Sequence, residues 1–135
     1  MKKISVVAAV IQYQNEVLCV QRNVSKFDYI SYKYEFPGGK IEEQETPEQA
    51  IIREIQEELC MDIMVDSHLI TVDHDYPDFS IELQTFLCKT KTKNLKLIEH
   101  IDFQWLKAQE LSKLDWADAD KPIIEELLRI SKVNS

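Results

Sequence analysis

Glycine is nearly absent from this chain of 135 residues, which contains two, Gly38 and Gly39, side by side. Globular chains average roughly 7% glycine, so about nine would be expected at this length. We find no linker, repeat or disordered segment, and hydrophobic content of 44% with 30% charged residues is typical of a soluble globular protein. We therefore expect one domain spanning residues 1–135, with a structural reason for its glycine pair.

Paired cysteines, clustered basic residues and long apolar runs are also missing. Cys19, Cys60 and Cys88 form no CxxC motif, which argues against a disulfide framework or a zinc site and favours reduced thiols in a cytoplasmic protein. The net charge of −8 argues against binding a nucleic acid polymer through its phosphates. A small phosphorylated ligand stays open if a metal ion supplies the positive charge.

The apolar run near the N-terminus is too short for a membrane span. Residues 4–11 follow two lysines but are not followed by a clear small-x-small cleavage site, so a buried first strand is favoured over a signal peptide. No stretch approaches the roughly 20 apolar residues that cross a bilayer. We expect no membrane partner.

The order of apolar segments predicts a mixed sheet with two main helices. Two strands flank the dipeptide Gln14-Asn15, and a loop follows over residues 23–45. Two or three strands are predicted over residues 61–90, with a turn at Pro77-Asp78, and a strand leading into a short helix over residues 100–111. This alternation indicates an α/β fold, a sandwich with a mixed sheet between helices.

The two helices carry recognisable start signals. Thr46 is the predicted N-cap of a helix over residues 47–59, with Pro47 at its first position and Gln49 completing a capping box. A second amphipathic helix should begin near residue 120, with Asp118 or Asp120 as its cap.

Three carboxylates share one stripe of the first helix. At 100° per residue, Glu54, Glu57 and Glu58 fall within about 100° of each other and border the predicted core-facing stripe. Such like charges repel each other unless a cation lies among them, and hard oxygen ligands suit Mg²⁺ or Mn²⁺. A solvated acidic face is the alternative. The core-facing stripe consists of Ile51, Ile52, Ile55 and Leu59.

The stretch from the glycine pair to the end of this helix resembles the signature of the Nudix hydrolases. That signature is Gly, five residues, Glu, seven residues, then Arg-Glu, a bulky aliphatic, any residue, Glu-Glu, any residue, Gly and a bulky aliphatic. One position departs from it, because Cys60 stands where the signature has its second glycine, after the helix. The matching residues are Gly39, Glu45, Arg53, Glu54, Ile55, Glu57, Glu58 and Met61.

The resemblance implies an α/β/α Nudix sandwich and a catalytic role for this stretch. The carbonyl of Gly38 and the carboxylates of Glu54, Glu57 and Glu58 would bind the metal, with Glu54 also a candidate base. Arg53, counted with the catalytic residues, would pair with Glu45 and hold the loop against the helix. We expect the glycine pair to allow close approach to metal and phosphate, where a Cβ would collide.

Outside the signature, the chain is most similar to the MutT and CTP pyrophosphohydrolase branch. The resemblance implies that Glu99 reaches the metals from a loop and is a second candidate base; an exposed loop acid is the alternative. His100 is expected to be structural. Asp120, assisted by Asp118, would contact the nucleobase, or would simply cap the last helix. Further candidate substrate contacts are Arg22, Phe36, Gly38, Gly39, Lys40, His74 and, for stacking, Tyr76.

The implied activity is a Mg²⁺-dependent nucleoside triphosphate pyrophosphohydrolase that releases a monophosphate and pyrophosphate. CTP, dCTP or a modified pyrimidine nucleotide is the first expected substrate, because the chain resembles the CTP branch and an aspartate carboxylate can accept a hydrogen bond from cytosine N4. A protonated aspartate could instead donate, which would suit an oxidised purine. The alternatives are an 8-oxo-dGTP diphosphatase, an ADP-ribose or dinucleotide hydrolase, and a catalytically silent nucleotide-binding module. We expect a monomer or homodimer.

Overall fold

The structure, a computed structural model, describes residues 3–133 and opens with a β-hairpin. Strand β1 (Lys3–Tyr13) pairs antiparallel with β2 (Glu16–Gln21) next to the connecting turn. Gln14 occupies the left-handed region there, with φ of 55°. The predicted hairpin around Gln14-Asn15 is confirmed.

A mixed sheet forms around β1. Strand β6 (Ser80–Lys89) runs parallel to β1 along ten register pairs, from Lys3 opposite Ser80 to Gln12 opposite Lys89, and β5 (Met64–Asp75) pairs antiparallel with β6. On the other side, β7 (Asp102–Leu106) pairs antiparallel with β2. The strands predicted over residues 61–90 and 100–111 are therefore confirmed, the first segment as two strands.

Two short strands were not predicted, because they form only by pairing with other strands and have no local signal in the sequence. β1 and β2 pair only near their hairpin turn, and the opening between them is filled by β3 (Tyr34–Glu35) on β2 and β4 (Gly38–Lys40) on β1. The prediction of a continuous loop through residue 45 is wrong here. Two- and three-residue strands are too short to show a period of two in sequence. This insertion places the glycine pair in the sheet.

Helices cover both faces of the sheet, which confirms the predicted α/β/α sandwich. On one face, α1 (Pro47–Leu59) packs its buried residues against alternate side chains of β1. On the other face, α2 (Lys121–Val133) packs against the remaining β1 side chains. The first core contains Val7, Ala9, Ile11, Ala50, Ile51, Ile55 and Leu59; the second contains Ala8, Val10, Trp116, Ile123, Ile124 and Leu127.

The boundaries of α1 follow its predicted signals. The Thr46 hydroxyl accepts from the Gln49 N–H, the Gln49 side chain accepts from the Thr46 N–H, and Pro47 occupies the first turn. Cys60 ends the helix in the left-handed conformation, with φ of 54°, at the position where the signature has glycine. The prediction that Ile52 faces the core is wrong, since its side chain is 47% exposed.

Short 3-10 helices precede α2, at Ala108–Lys113 and Asp118–Asp120. The prediction that Asp118 or Asp120 caps α2 is wrong: the hydrogen bonds of these two carboxylates go to the Lys121 ammonium and the Phe36 N–H. None of the helices in residues 3–133 is long and apolar enough to cross a membrane.

Candidate active site

Close packing against β1 and α1, rather than the predicted approach to metal and phosphate, explains the glycine pair. A Cβ on Gly38 would lie 1.9 Å from the carbonyl oxygen of Val7, so this residue must lack a side chain for β4 to pair with β1. A Cβ on Gly39 would lie 2.4 Å from the Glu54 carboxylate. The pair thus brings β4 against β1 on one side and the α1 carboxylate against β4 on the other.

Arg53 joins the start of the signature to its end. Its Nε donates to Glu45 Oε2 at 2.7 Å, and its Nη2 donates to the Lys40 carbonyl at 3.0 Å. Its Nη1 reaches Glu54 at 2.8 Å and Glu57 at 3.2 Å. The guanidinium lowers the pKa of Glu45 to about 2, so this pair stays ionised and ties the loop after β4 to α1.

The three α1 carboxylates occupy different environments. The Glu57 side chain is 58% exposed and that of Glu54 only 15%. Burial, followed by the charges of Glu35, Glu54 and Glu99, raises the pKa of Glu58 to about 9. Glu58 Oε2 is buried without a hydrogen-bond partner. The prediction that the three carboxylates border the buried face therefore holds for Glu54 and Glu58 and is wrong for Glu57.

These residues fit a divalent cation. Within residues 3–133, no three acidic, histidine or cysteine side chains already converge on one point, because Arg53 holds Glu54 and Glu57. An unpartnered buried carboxylate oxygen is costly unless a cation or proton satisfies it. Glu58 supplies such an oxygen, Glu54 lies beside it on the helix, and carboxylate and carbonyl oxygens are the donors that Mg²⁺ and Mn²⁺ prefer.

A cavity of about 390 Å³ opens beside Glu58 and runs to Asp120. Its walls combine polar groups at one end with apolar and aromatic side chains at the other. Of the predicted site residues it is lined by Arg22, Phe36, Gly38, Gly39, Lys40, Glu58, Tyr76, Glu99 and Asp120. The structure thus brings the glycine pair, one α1 carboxylate, two basic residues and the candidate base-contacting acid to one cavity.

The far end of the cavity is aromatic, with a buried acid. Asp120 is 5% exposed and its Oδ1 accepts from the Phe36 N–H at 3.0 Å. Burial, followed by the charge of Glu35, raises the pKa of Asp120 well above its usual value. The Phe36 ring packs on Trp116 at 4.8 Å, and the Tyr76 hydroxyl accepts from the Ala119 N–H. This end of the cavity therefore offers a buried carboxyl group beside aromatic rings, with a pKa shifted toward the protonated form.

Six predicted site residues lie outside the cavity lining: Glu45, Arg53, Glu54, Glu57, His74 and Asp118. Glu57 points to solvent and pairs with Arg53, and Asp118 is exposed and paired with Lys121. His74 packs its ring edge-on against Tyr76 at 4.4 Å. Glu54 is also absent from the lining, but its carboxylate lies directly against Gly39.

Glu35 is a cavity residue that our sequence reasoning missed. Its carboxylate accepts from Arg22 Nη1 and from His100 Nε2, each at 3.0 Å. In the sequence, Glu35 is marked only as a single acidic residue between two aromatic residues, Tyr34 and Phe36, shortly before the glycine pair. His100 is nearly buried through this contact, consistent with its expected structural role.

Comparisons with known proteins agree with this fold. The family described as NUDIX domain matches residues 6–126. The chain is similar to an 8-oxo-dGTP diphosphatase of Escherichia coli K12, at 32% identity over 96% of this chain and all of that one. A CTP pyrophosphohydrolase of the same organism is 29% identical over 96% of this chain and 95% of that one. The solution structure of the E. coli ORF135 protein superposes with a TM-score of 0.83 at 29% identity, covering 98% of this chain and 94% of that one.

The matched region contains all of the signature and the cavity lining from Val6 to Asp120. The chain belongs to the Nudix family, and it is a Nudix hydrolase of the MutT-like type. The predicted family and fold are confirmed.

Proposed function

We propose that this protein hydrolyses a nucleoside triphosphate to the monophosphate and pyrophosphate, with Mg²⁺ or Mn²⁺ as cofactor. The oxygen of one water forms a new P–O bond, and the bridging P–O bond between the α- and β-phosphates breaks. The departing group keeps the electron pair of that bond, and the base takes a proton from the water. The observation that carries the proposal is the unpartnered, buried Glu58 oxygen, facing a cavity that also contains the glycine pair and two basic residues.

The residues that would hold the cation are Glu54, Glu57, Glu58, the Gly38 carbonyl and Glu99. A bound divalent cation neutralises charge on the phosphate oxygens and lowers the pKa of a coordinated water. For Glu57 to take part, its carboxylate must leave Arg53 Nη1, a contact of 3.2 Å on the exposed side of the helix. Arg22 and Lys40, both in the cavity wall, would bind the phosphates.

Glu54 is the proposed general base. Its carboxylate is fixed by Arg53 Nη1 at 2.8 Å and lies against Gly39, whereas Glu99 is exposed on a loop. A base must be held within hydrogen-bond reach of the proton that it abstracts. Glu54→Gln should therefore lower kcat by at least about 100-fold, and Glu99→Gln by less.

Asp120 bears on the choice of nucleotide. Burial raises its pKa, and a protonated Asp120 would offer one donor beside Oδ1, which accepts from the Phe36 N–H. This pattern complements the O6 acceptor and N7–H donor of 8-oxoguanine, and also the N3 acceptor and N4–H donor of cytosine. The O6/N7 edge of guanine presents two acceptors and lacks the donor that 8-oxoguanine has at N7. A protonated Asp120 would therefore fit 8-oxoguanine and cytosine, whereas the ionised carboxylate favours cytosine.

We place 8-oxo-dGTP first and CTP or dCTP second. The 8-oxo-dGTP diphosphatase relative is the more similar of the two described above, and the acid at position 120 no longer argues for cytosine over 8-oxoguanine. The second candidate is retained because of the CTP pyrophosphohydrolase relative.

Steady-state kinetics on 8-oxo-dGTP, dGTP, CTP and dCTP test the proposal, with pyrophosphate and phosphate measured separately. We expect Mg²⁺-dependent pyrophosphate release, with kcat/KM for 8-oxo-dGTP well above that for dGTP. Higher kcat/KM on CTP would favour the second candidate. Two monophosphates from ADP-ribose, without activity on triphosphates, would contradict the proposal, as would metal-dependent nucleotide binding without turnover.

Asp120→Asn and Glu57→Gln separate base recognition from phosphate chemistry. Asp120→Asn should change the ratio of kcat/KM between 8-oxo-dGTP and CTP, whereas Glu57→Gln should lower kcat on all nucleotides by orders of magnitude. Asp118→Asn is the matched control for Asp120, since Asp118 is exposed and paired with Lys121. If Asp120→Asn lowered kcat/KM equally on every nucleotide, Asp120 would have no role in recognising the base.

A further inference from the structure

Three segments meet at the Glu35 carboxylate. Arg22 comes from the end of β2, Glu35 from β3, and His100 from the connection before β7. The pairing of β2 with β7 sets Arg22 and His100 side by side, because Gln21 lies opposite Asp102 and the Ile101 N–H donates to the Gln21 carbonyl at 3.0 Å.

The contact is buried and ionic. The His100 side chain is 5% exposed and that of Glu35 19%. Burial alone would raise the pKa of Glu35, but the hydrogen bonds and charges of His100 and Arg22 outweigh it, so the pKa is lowered. Glu35 is therefore a carboxylate that accepts from both partners. Its bond to His100 requires a proton on Nε2, which fixes how the imidazole is oriented.

This contact joins two parts of the cavity wall. His100 follows Glu99 directly, and the loop that carries both is attached to α1 through the Ile98 N–H, which donates to the Glu58 carbonyl at 3.3 Å. Arg22 and Glu99 both line the cavity. Arg22 Nε and His100 Nδ1 are buried without a hydrogen-bond partner. Glu35 therefore orients Arg22. His100, on the loop that carries Glu99, makes the second hydrogen bond to the Glu35 carboxylate and so holds it in place.

We propose that His100 is a positioning residue: through Glu35 it holds Arg22 in the cavity wall, and it fixes the adjacent Glu99 at the same cavity. The proposal rests on the proposed function, because Arg22 and Glu99 are its candidate phosphate- and metal-binding residues. Side chains that orient such groups are commonly worth about 10- to 100-fold in activity or metal affinity.

Two substitutions of His100 test this role. His100→Leu removes the donor to Glu35, whereas His100→Gln can place its amide N–H near the position of Nε2. We expect His100→Leu to raise KM for the triphosphate at least about tenfold through Arg22 and to lower kcat through Glu99. His100→Gln should recover most of the KM. His68→Leu is the matched control, since His68 is exposed on β5 and bonds only to Thr71, and it should have wild-type kinetics.

A double-mutant cycle with Arg22→Gln shows whether His100 acts through Arg22. If it does, the double variant should have the KM of Arg22→Gln alone, rather than the product of the two single effects. The proposal would be overturned if His100→Leu had wild-type kinetics, or if the effects of His100→Leu and Arg22→Gln on KM multiplied in the double variant. Equal impairment of His100→Gln and His100→Leu would also overturn it. Should His100→Leu fail to fold by circular dichroism, Glu35→Gln replaces it in the cycle.

NMR of the nucleotide-free protein separates this inference from the proposed function. In wild type we expect the ¹⁵N signals of His100 to report a protonated Nε2, and a slowly exchanging Arg22 Nη1–H, the group that donates to Glu35, that is lost in His100→Leu and in Glu35→Gln. An unprotonated Nε2, or an Arg22 signal unchanged in both variants, overturns the inference whatever the turnover. Absence of turnover on every nucleotide overturns the proposed function while leaving the NMR result intact.

Discussion

Burial decides what Asp120 can offer a ligand. Its carboxyl group is 5% exposed, accepts one backbone N–H, and has a pKa raised well above its usual 3.8 by burial and by the nearby Glu35 charge. The sequence leaves both forms of this aspartate open, an ionised acceptor or a protonated donor. In the structure burial shifts its pKa toward the protonated form, and this changes which nucleobases would complement it.

The free energy of unfolding provides a test of that protonation state. The unfolded chain loses the Asp120 proton near pH 3.8, whereas the folded chain keeps it to higher pH, so above 3.8 unfolding releases a proton. The stability of wild type relative to Asp120→Asn should therefore fall as pH rises from 4 to 7, by up to about 1.4 kcal/mol per pH unit. Urea unfolding at several pH values measures it. Asp118→Asn, the control, should show a small change of opposite sign, because pairing with Lys121 lowers the pKa of Asp118.

Cys60 has a local conformation that its residue type disfavours. It ends α1 at φ of 54°, where glycine has no Cβ penalty. Cys60→Gly should stabilise the fold by about 1 kcal/mol, and Cys60→Ala should have little effect, because alanine retains the Cβ. Thermal unfolding measures both variants. Equal stability of the glycine and alanine variants would show that the exit from the helix is not strained.

At the scale of secondary structure elements, the glycine pair joins β4 to both of its neighbours. Gly38 meets the β1 backbone and Gly39 meets a side chain of α1. Gly38→Ala should therefore destabilise the fold by about 1–3 kcal/mol, because strand β4 must leave β1. Gly39→Ala should remain folded and lose turnover instead, because the Glu54 carboxylate can move. Comparing urea midpoints with kcat separates the two effects. Similar losses of stability in both variants would contradict this division of roles.

The elements that could be predicted from sequence are those with local signals. Thr46, Pro47 and Gln49 define the start of α1, and apolar segments bounded by turn residues indicate β1, β5 and β6, so these predictions are confirmed. Strands β3 and β4 carry no period and form only because β1 and β2 separate. The same limit applies to the site. The signature predicts Glu54 and Glu58 beside Gly39, whereas Glu35 becomes visible only once Arg22 and His100, distant in sequence, meet at its carboxylate.

At the scale of the whole molecule, acidic groups accumulate around one cavity. The chain has a formal net charge of −8, and Glu35, Glu58, Glu99 and Asp120 all line the cavity, with Arg22 and Lys40 as the basic residues predicted to bind substrate. Mutual repulsion raises the pKa of Glu58, after the larger effect of burial. The folded protein thus carries an electrostatic penalty at this cavity, which a cation would relieve.

Divalent metal should therefore stabilise the fold in the absence of nucleotide. A ligand that binds only the folded state at 100 times its Kd adds about 2.7 kcal/mol to the free energy of unfolding. We expect Mg²⁺ or Mn²⁺ to raise Tm relative to EDTA. The same measurement with Ca²⁺ tests whether the increase in Tm needs the smaller ion. Glu58→Gln should raise Tm in EDTA, because burial raises the pKa of Glu58 to about 9 and the folded chain must then take up a proton that an amide does not need, and it should abolish the response to metal. Glu43→Gln, an exposed acid in the loop before α1, is the control and should respond like wild type. If the wild-type Tm were the same in EDTA and in saturating Mg²⁺ and Mn²⁺, a proton alone would satisfy Glu58. The proposed metal-dependent mechanism would then lack a metal-binding site.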